Sequence, residues 1–193
     1  MPDLFDLPTL PGLRTAEQFV SVAEERVLVA AIDALDLMPF RFQGWLGKRL
    51  TRSFGWHYDF DHGRLGPADP IPSWLEPVRQ RAEQFAGLGA GALVHALLTR
   101  YDAGAGIGWH RDRPQFEHVV GISLGHPATL RFRRRTDDRF ARTSTPLKPR
   151  GIYHLSGEAR HAWEHSIAEM AGPRWSITFR SLSDKSRRLG DVA

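Results

Sequence analysis

The residues Tyr101–Asp112, YDAGAGIGWHRD, decide how the rest of the chain is interpreted. They follow an apolar run, Ala96-Leu97-Leu98, which predicts a β-strand, and their three glycines favour a turn. They end in His110 and Asp112, and side chains two positions apart on an extended chain point to the same face. The imidazole and the carboxylate could therefore bind one metal ion, although a strand end with a solvated aspartate would look the same in sequence.

The composition is that of a globular protein of one domain. The 193 residues contain 41% hydrophobic and 25% charged residues, which are ordinary values. Cysteine is absent, so a metal would have to be bound by His, Asp or Glu. No run of 18 apolar residues predicts a transmembrane helix, and the acidic N-terminus lacks the basic region of a secretory signal. We therefore expect a cytoplasmic protein that does not contact membranes.

The excess of arginine indicates an anionic partner. Lysine and arginine together number 26, all but three of them arginine, and the pI is about 9.9. Such a balance is typical of nucleic-acid-binding proteins, although a genome rich in arginine codons would give the same composition. The segment Arg131–Arg135, followed by Arg139, Arg142 and Lys148, predicts a basic hairpin that either contacts phosphates or is simply solvated.

Helix signals are confined to the first part of the chain. Residues 1–14 predict an extended arm, because prolines disfavour a helix there. Ser21-Val-Ala-Glu24 and Ser73-Trp-Leu-Glu76 are both capping-box patterns, and Gly87 is expected to end the second helix after about Phe85. The first helix has an apolar stripe at helical spacing, formed by Val27, Leu28, Ala31, Ile32 and Leu35.

The second part of the chain predicts a β-sandwich or barrel. Apolar runs separated by Gly and Pro predict five short strands: Val94–Tyr101, His118–Leu124, Ala128–Arg133, Gly151–Leu155 and Trp175–Leu182. Upstream, Phe54, Trp56, Tyr58 and Phe60 alternate with polar residues or glycine and predict one strand with an aromatic face. That face would contact the core or stack on a base, and a loop would follow over residues 61–72.

Two metal-binding patterns compete for the segment that contains His161 and His165. The spacing His161-x-x-Glu164-His165 matches inverted zinc peptidases, which need a helix here and a further carboxylate downstream. The few residues that follow mainly predict strand. In the alternative, His165 alone completes a 2-His-1-carboxylate set with His110 and Asp112, the ligand set of non-haem Fe(II) oxygenases.

The last predicted strand carries two arginines on one face. In Arg174–Arg180, RWSITFR, the residues Trp175, Ile177 and Phe179 point one way, and Arg174 and Arg180 point the other. Burying two guanidinium groups without anions would be costly. The pair could hold a short dicarboxylate, or one arginine could be exposed while the other forms a structural ion pair.

Together, H-x-D, a histidine about 50 residues later and R-x5-R in a terminal strand resemble the AlkB family of 2-oxoglutarate/Fe(II)-dependent dioxygenases. The similarity covers about residues 36–182. It implies a mainly β protein with flanking helices (α+β), in which a double-stranded β-helix (jelly-roll) core carries N-terminal helices and a nucleotide-recognition lid. The single domain, 1–193, would then comprise an arm (1–14), a lid region (39–72), a core (92–182) and a flexible tail (184–193).

The resemblance also assigns roles to residues. It implies that His110, Asp112 and His165 bind Fe(II), and that the cosubstrate 2-oxoglutarate contacts Tyr101, Arg174, Arg180 and the position of Thr99. Trp56 and Tyr58 match lid positions that contact substrate. Arg49, Arg52, Arg133 and Arg135 are the basic residues expected to contact nucleic acid.

With O2 as the second cosubstrate, the resemblance implies oxidative removal of N-alkyl groups from bases of DNA or RNA, by a protein that we expect to be a monomer. The chain departs from the family at Thr99, where Asn is common, and at Pro114, where some members carry a carboxylate. The run Arg160–His165 is more similar to the tRNA-modifying branch. A tRNA- or protein-directed oxygenase and a non-catalytic nucleic-acid-binding module remain the alternatives.

Overall fold

The computed structural model describes residues 10–42, 45–59 and 64–190. Its four α-helices are α1 (Val22–Asp33), α2 (Glu76–Ala86), α3 (Gly157–His161) and α4 (Asp184–Gly190). Its first seven strands are β1 (Leu13–Ala16), β2 (Met38–Phe42), β3 (Trp45–Phe54), β4 (Trp56–Asp59), β5 (Arg64–Pro67), β6 (Leu93–Tyr101) and β7 (Ile107–His110). The others are β8 (Phe116–Gly125), β9 (Ala128–Thr136), β10 (Arg139–Leu147), β11 (Ile152–Leu155), β12 (Glu164–Ile167) and β13 (Arg174–Leu182).

Two antiparallel sheets face each other and form the jelly-roll core. The larger sheet has the strand order β1-β11-β8-β13-β6-β3-β2, and the smaller one has the order β10-β9-β12-β7. One apolar cluster, which includes Leu130 and Phe132, fills the space between the sheets. A second cluster lies on the other face of the larger sheet, where Ile177 contacts the apolar sides of α1 and α2. The fold is therefore a mainly β protein with flanking helices, as the sequence predicted, and α1 and α2 cover one face of the larger sheet.

Strand β13 lies between β8 and β6 in the larger sheet and carries different residues on its two faces. Ile177 and Phe179 are fully buried against the helices. Arg174 and Arg180, on the opposite face, contact polar groups between the sheets. The alternation predicted for this strand is confirmed, and it places two cations inside the sandwich.

The first helix follows its sequence signals more closely than the second. The hydroxyl of Ser21 accepts a bond from the backbone N–H of Glu24, and the Glu24 carboxylate accepts one from the N–H of Ser21, which confirms the capping box. Val27 is 67% exposed, so its place in the buried stripe was wrong. Ser73 caps nothing and instead begins one 3₁₀ turn, Ser73–Leu75, before α2. Gly87 ends α2 in the left-handed region, as predicted.

The aromatic strand predicted over residues 54–60 is two strands. Strand β3 ends at Phe54, which is buried in the core. Gly55 then interrupts the strand, because its φ is +77°. A Cβ at this position would lie 2.0 Å from the carbonyl oxygen of Val94. Strand β4 follows and pairs with β5, so a hairpin occupies part of the predicted loop 61–72. Because Gly55 turns the chain, Phe54 and Trp56 belong to two different strands, and Phe60 lies outside the described residues.

Regular structure is also present near both chain ends. Of the predicted arm 1–14, residues 1–9 lie outside the described residues, while Leu13 and Arg14 belong to β1 and pair with β11. The predicted flexible tail 184–193 contains a helix, α4. None of the helices in the described part of the chain combines the length and apolar character that crossing a bilayer requires.

Candidate metal and cosubstrate site

The side chains of His110, Asp112 and His165 meet between the two sheets. His110 is the last residue of β7, and His165 lies directly opposite it on β12. Asp112 follows β7 by two residues. One ligand atom from each of the three lies within 4.8 Å of the others, and the two imidazole centroids are 4.3 Å apart. The pairing of β7 with β12 thus brings together residues that are more than 50 positions apart.

Neighbouring groups fix the donor atoms of His110 and Asp112. The Nδ1 of His110 lies 2.9 Å from the carbonyl oxygen of Gly108, so it is the protonated nitrogen and Nε2 keeps its lone pair. The guanidinium of Arg180 donates through Nε to Oδ1 of Asp112 at 2.6 Å. The other carboxylate oxygen, Oδ2, is buried without a hydrogen-bond donor and lies 3.4 Å from Nε2 of His165. A buried carboxylate oxygen beside two imidazole nitrogens fits a divalent metal.

The protonation states also favour a metal. Burial and the adjacent His110 lower the pKa of His165 to about 3, and burial likewise lowers the pKa of His110. Burial opposes ionisation of Asp112, but Arg180 and the two histidines outweigh it, so the pKa of this carboxyl is held below its ordinary value. Near neutral pH the site therefore presents two neutral imidazoles and one carboxylate, the forms that bind metal ions.

A second unsatisfied polar atom belongs to the buried side chain of Arg174. This side chain is 1% exposed, and its Nε donates to the hydroxyl of Ser123 at 3.0 Å. Its Nη1 is buried without an acceptor, and its Cζ lies 5.1 Å from the ring centroid of Tyr101. Thr99 and Tyr101 lie on β6, beside Ser176 and Arg174 of β13. A buried cation with a free N–H group fits a carboxylate of a small acid.

A cavity of about 1100 Å³ opens above these groups. The three candidate metal ligands, Tyr101, Thr99 and Arg180 line it, whereas Arg174 lies behind Tyr101. Tyr153 also lines the cavity, and burial raises its pKa to about 12. Its ring crosses β8 at Gly121, where an added Cβ would lie 2.2 Å from the ring. A glycine is therefore required at this position.

The predicted substrate contacts fall on different surfaces. Arg49 and Arg52 line the cavity, and Arg52 forms an ion pair with Asp69 at 2.7 Å. Arg133 and Arg135 alternate with the inward-facing Phe132, so they lie on the outer face of the smaller sheet. Trp56 is partly buried but is not among the described residues that line the cavity. The side chain of Tyr58 lies outside what the structure describes, so a base-stacking role for this pair stays a prediction.

The arrangement required by an inverted zinc peptidase is not formed. His161 ends α3, whereas Glu164 and His165 lie on β12, so no single helix presents the two histidines. The Nε2 of His161 lies 2.9 Å from a carboxylate oxygen of Glu117 and takes no part in the metal site.

Sequence reasoning missed several residues that support the site. Arg160 is 3% exposed, and its Nη2 donates to the carbonyl oxygens of Arg113 and Phe116, both at 2.6 Å. It therefore holds the loop that follows Asp112. Ser123 and Tyr153 were also missed. They lie on β8 and β11, where the sequence reads as ordinary buried strand, so no signal distinguished them.

Comparisons with known proteins agree with this geometry. Residues 48–186 match the model of the 2OG-Fe(II) oxygenase superfamily. The chain is 31% identical to the alkylated DNA repair protein ALKBH8 homolog of Arabidopsis thaliana over 82% of its own length and 51% of that protein. It is 27% identical to the tRNA (carboxymethyluridine(34)-5-O)-methyltransferase ALKBH8 of Macaca fascicularis, over 81% of this chain and 24% of that one.

The chain thus spans about half the length of the first of these relatives and about a quarter of the second. Among solved structures, that of OsALKBH1 superposes with a TM-score of 0.65 at 15% identity, covering 89% of this chain and 97% of that one. This last similarity bears on the fold alone.

Proposed function

The chain belongs to the AlkB family of 2-oxoglutarate/Fe(II)-dependent dioxygenases, and from this premise we propose that it oxidises alkyl groups on the bases of nucleic acids. Its cofactor is Fe(II), and its cosubstrates are 2-oxoglutarate and O2. The bound iron supplies the oxidising chemistry: 2-oxoglutarate loses CO2 to become succinate, and one oxygen atom of O2 enters a C–H bond of the substrate. On an N-methyl group the hydroxymethyl product then releases formaldehyde and leaves the N–H base.

The observation that carries this proposal is a pair of buried, unsatisfied polar atoms, one on a candidate metal ligand and one on Arg174, which lies behind Tyr101. The Oδ2 of Asp112 has no donor, and the Nη1 of Arg174 has no acceptor, although both are buried. Leaving such atoms unpaired costs stability, so they are expected to have ligands. A cation at the first and a carboxylate at the second satisfy both, and this is the pairing that Fe(II) and 2-oxoglutarate would make.

The surrounding residues would hold these ligands in place. Arg180 fixes one oxygen of Asp112, so the carboxylate would bind the metal through its other oxygen alone. Gly108 fixes the tautomer of His110. We propose that Tyr101 and Thr99, which line the cavity beside Arg174, contact the bound 2-oxoglutarate.

The outer face of the smaller sheet supports a nucleic-acid substrate. Arg131 and Arg133 both stack on the Trp109 ring, with Cζ-to-centroid distances of 5.2 and 4.6 Å, and Arg133 and Arg142 both stack on Phe140. The Nε of Arg133 donates to a carboxylate oxygen of Glu164 at 2.6 Å, and the Nε of Arg131 donates to the hydroxyl of Ser166 at 3.1 Å. We propose that the Nη groups of these stacked guanidiniums contact phosphate oxygens. Because Trp109 also lines the cavity, we propose that the strand backbone runs along this face into the site.

RNA is the second, more specific candidate substrate. Two of the relatives are named for tRNA or for alkylated DNA repair, and both match more than 80% of this chain. The aligned part of the macaque protein is about a quarter of its length, so the methyl transfer in its name is not carried over to this chain. We propose oxidation of a modified tRNA base as the alternative to dealkylation of DNA.

The test is a decarboxylation screen. The protein, loaded anaerobically with Fe(II), would receive 2-oxoglutarate and O2 with N-methylated DNA oligonucleotides, their RNA counterparts, or bulk tRNA. Succinate and formaldehyde would both be measured, and Asp112→Asn would serve as the metal-site control. Succinate with formaldehyde indicates dealkylation, and succinate with a stable hydroxylated nucleoside indicates tRNA modification. Neither product on any substrate would refute the proposal.

A further inference from the structure

Tyr153 places a phenol over the middle of the larger sheet, on the face that points into the sandwich. It lies on β11 and pairs with Gly121 of β8, which in turn pairs with Thr178 of β13. Because Gly121 has no side chain, the ring lies across β8, and its Cζ and hydroxyl oxygen occupy the volume that a Cβ would fill. The absence of a side chain at Gly121 therefore lets the phenol reach from one edge of the sheet towards the centre of the site.

The hydroxyl of Tyr153 is a hydrogen-bond donor without an acceptor. It belongs to a residue that lines the cavity, and no other residue in the described ranges forms a hydrogen bond with it. Burial raises the pKa of Tyr153 to about 12, so the phenol keeps its proton near neutral pH. The groups with which it interacts electrostatically belong to both parts of the site: Arg174, Tyr101, Asp112 and Arg180.

Arg174 alone does not meet a ligand that enters from the cavity. It lies behind Tyr101, and its Nε is bound to the hydroxyl of Ser123. Ser123 and Gly121 are two positions apart on the same face of β8, about 7 Å along the strand. The guanidinium and the phenol of Tyr153 are thus neighbours above this strand, and a carboxylate that reaches the unsatisfied Nη1 of Arg174 would lie beside the phenol.

We propose that Tyr153 helps to select the cosubstrate, by donating a hydrogen bond from its hydroxyl to the same carboxylate that Arg174 binds. The inference deepens the proposed function, because it concerns the cosubstrate of the same site. Hydrogen bonds from a phenol and a guanidinium to one carboxylate are of the strong, charge-assisted kind. A 2-oxo acid with a methyl group at that end would leave both donors unpaired in a buried site, which is costly. The two residues should therefore favour a 2-oxo dicarboxylic acid over a 2-oxo monocarboxylic acid.

Equilibrium binding tests this inference without nucleic acid and without turnover. 2-Oxoglutarate and 2-oxopentanoate, which has a methyl group in place of the second carboxylate, would each be titrated calorimetrically into the anaerobic Fe(II)-loaded protein. Fe(II) affinity would be measured in parallel. The variant is Tyr153→Phe, which removes only the hydroxyl. Thr136→Val is the matched control, because it removes a hydroxyl at the end of β9 that donates to the carbonyl oxygen of Arg139.

The wild-type protein is expected to bind 2-oxoglutarate at least about a hundredfold more tightly than 2-oxopentanoate, since the second carboxylate accepts several charge-assisted hydrogen bonds. Tyr153→Phe should lower the affinity for 2-oxoglutarate by about 10- to 100-fold and that for 2-oxopentanoate by about twofold or less. Thr136→Val should leave both affinities unchanged.

The wild-type protein decides the question if Tyr153→Phe does not fold. The chain contains three tyrosines, so labelling their Cζ atoms with 13C should give three signals in the protein loaded with Zn(II). The signals of Tyr58 and Tyr101 would be identified through their Phe variants, which leaves the signal of Tyr153. This signal should shift when 2-oxoglutarate is added and much less when 2-oxopentanoate is added, and shifts of equal size would overturn the inference.

Unchanged affinity for 2-oxoglutarate in Tyr153→Phe, or an equal loss for the two acids, would also overturn it. A loss of Fe(II) affinity without a change in the preference between the acids would assign the hydroxyl to Asp112 instead. The proposed function fails separately, through the absence of succinate and oxidised product in the screen with nucleic acids.

Discussion

Replacing Arg174 with methionine should separate the stability of the protein from its affinity for the cosubstrate. The guanidinium is buried, with one hydrogen bond to Ser123 and an unsatisfied Nη1. Methionine is also unbranched at Cβ and flexible, and although it is shorter than arginine it has no charge to bury. Loss of the guanidinium removes about two charge-assisted hydrogen bonds to a carboxylate, at about 1.5–3 kcal/mol each. The affinity for 2-oxoglutarate should therefore fall by about two to four orders of magnitude.

Without ligands, the same substitution should not destabilise the fold. Removing a buried, incompletely paired charge is neutral or stabilising by about 1–4 kcal/mol in comparable sites. The free energy of unfolding in urea is therefore expected to stay level or to rise in Arg174→Met. Calorimetric titration of 2-oxoglutarate into the anaerobic Fe(II) protein would measure the affinity under the same buffer conditions.

Two further variants sharpen this experiment. Ser123→Ala removes the hydroxyl that accepts a hydrogen bond from Nε of Arg174 but keeps the positive charge of Arg174. The affinity for 2-oxoglutarate should therefore fall by about tenfold or less. Arg134→Met removes a guanidinium that pairs with Glu158 away from the cavity and should leave the affinity unchanged. An Arg174→Met protein that binds 2-oxoglutarate as tightly as the wild type would refute the assignment of this residue, whatever its stability.

Three other predictions follow from the packing of the site. Gly121→Ala should lower the free energy of unfolding in urea by about 1–3 kcal/mol, because the new Cβ meets the Tyr153 ring. Combining it with Tyr153→Leu should recover part of that loss. Strict additivity of the two free-energy changes would contradict the explanation. Arg160→Met should weaken Fe(II) binding about 10–100-fold in anaerobic titrations while the circular dichroism spectrum stays native, since its two carbonyl partners hold the loop after Asp112; unchanged affinity would dismiss this positioning role. Burial and the neighbouring His118 lower the pKa of His154 in the folded protein to about 4, below its ordinary value of 6.5. The neutral imidazole therefore contributes stability above pH 6.5, and this contribution should be lost as the pH falls towards 4. His154→Gln should reduce the dependence of the unfolding midpoint on pH between pH 7 and pH 4, and an unchanged dependence would show that other groups cause it.

The sequence predicted most reliably the features that depend on local periodicity. The alternation in Arg174–Arg180 placed both arginines on the inner face, and Ser21 identified the start of α1. It failed where a tertiary contact overrides the local pattern. Gly55 adopts a positive φ against the backbone of Val94, and this breaks an aromatic run whose alternation predicts one continuous strand.

The candidate site shows the same division. His110, Asp112 and His165 were identified because their residue types and spacing carry chemical meaning, and the structure brings their ligand atoms together. Tyr153 and Arg160 support the site through a ring lying on a glycine and through two backbone carbonyls. Such contacts depend on which strands become neighbours, and a single sequence does not record that.

The position of β7 at the margin of the smaller sheet gives the metal a mechanical role. Ile107–His110 is a four-residue strand that pairs only with β12 among the described strands, so few hydrogen bonds oppose its detachment. An ion bound by His110, Asp112 and His165 would cross-link the end of β7 to β12. At a free concentration 100 times its dissociation constant it would oppose their separation by about 2.7 kcal/mol. Amide hydrogens of β7 should therefore exchange about a hundredfold more slowly once metal is added, while those of β13 exchange at unchanged rates.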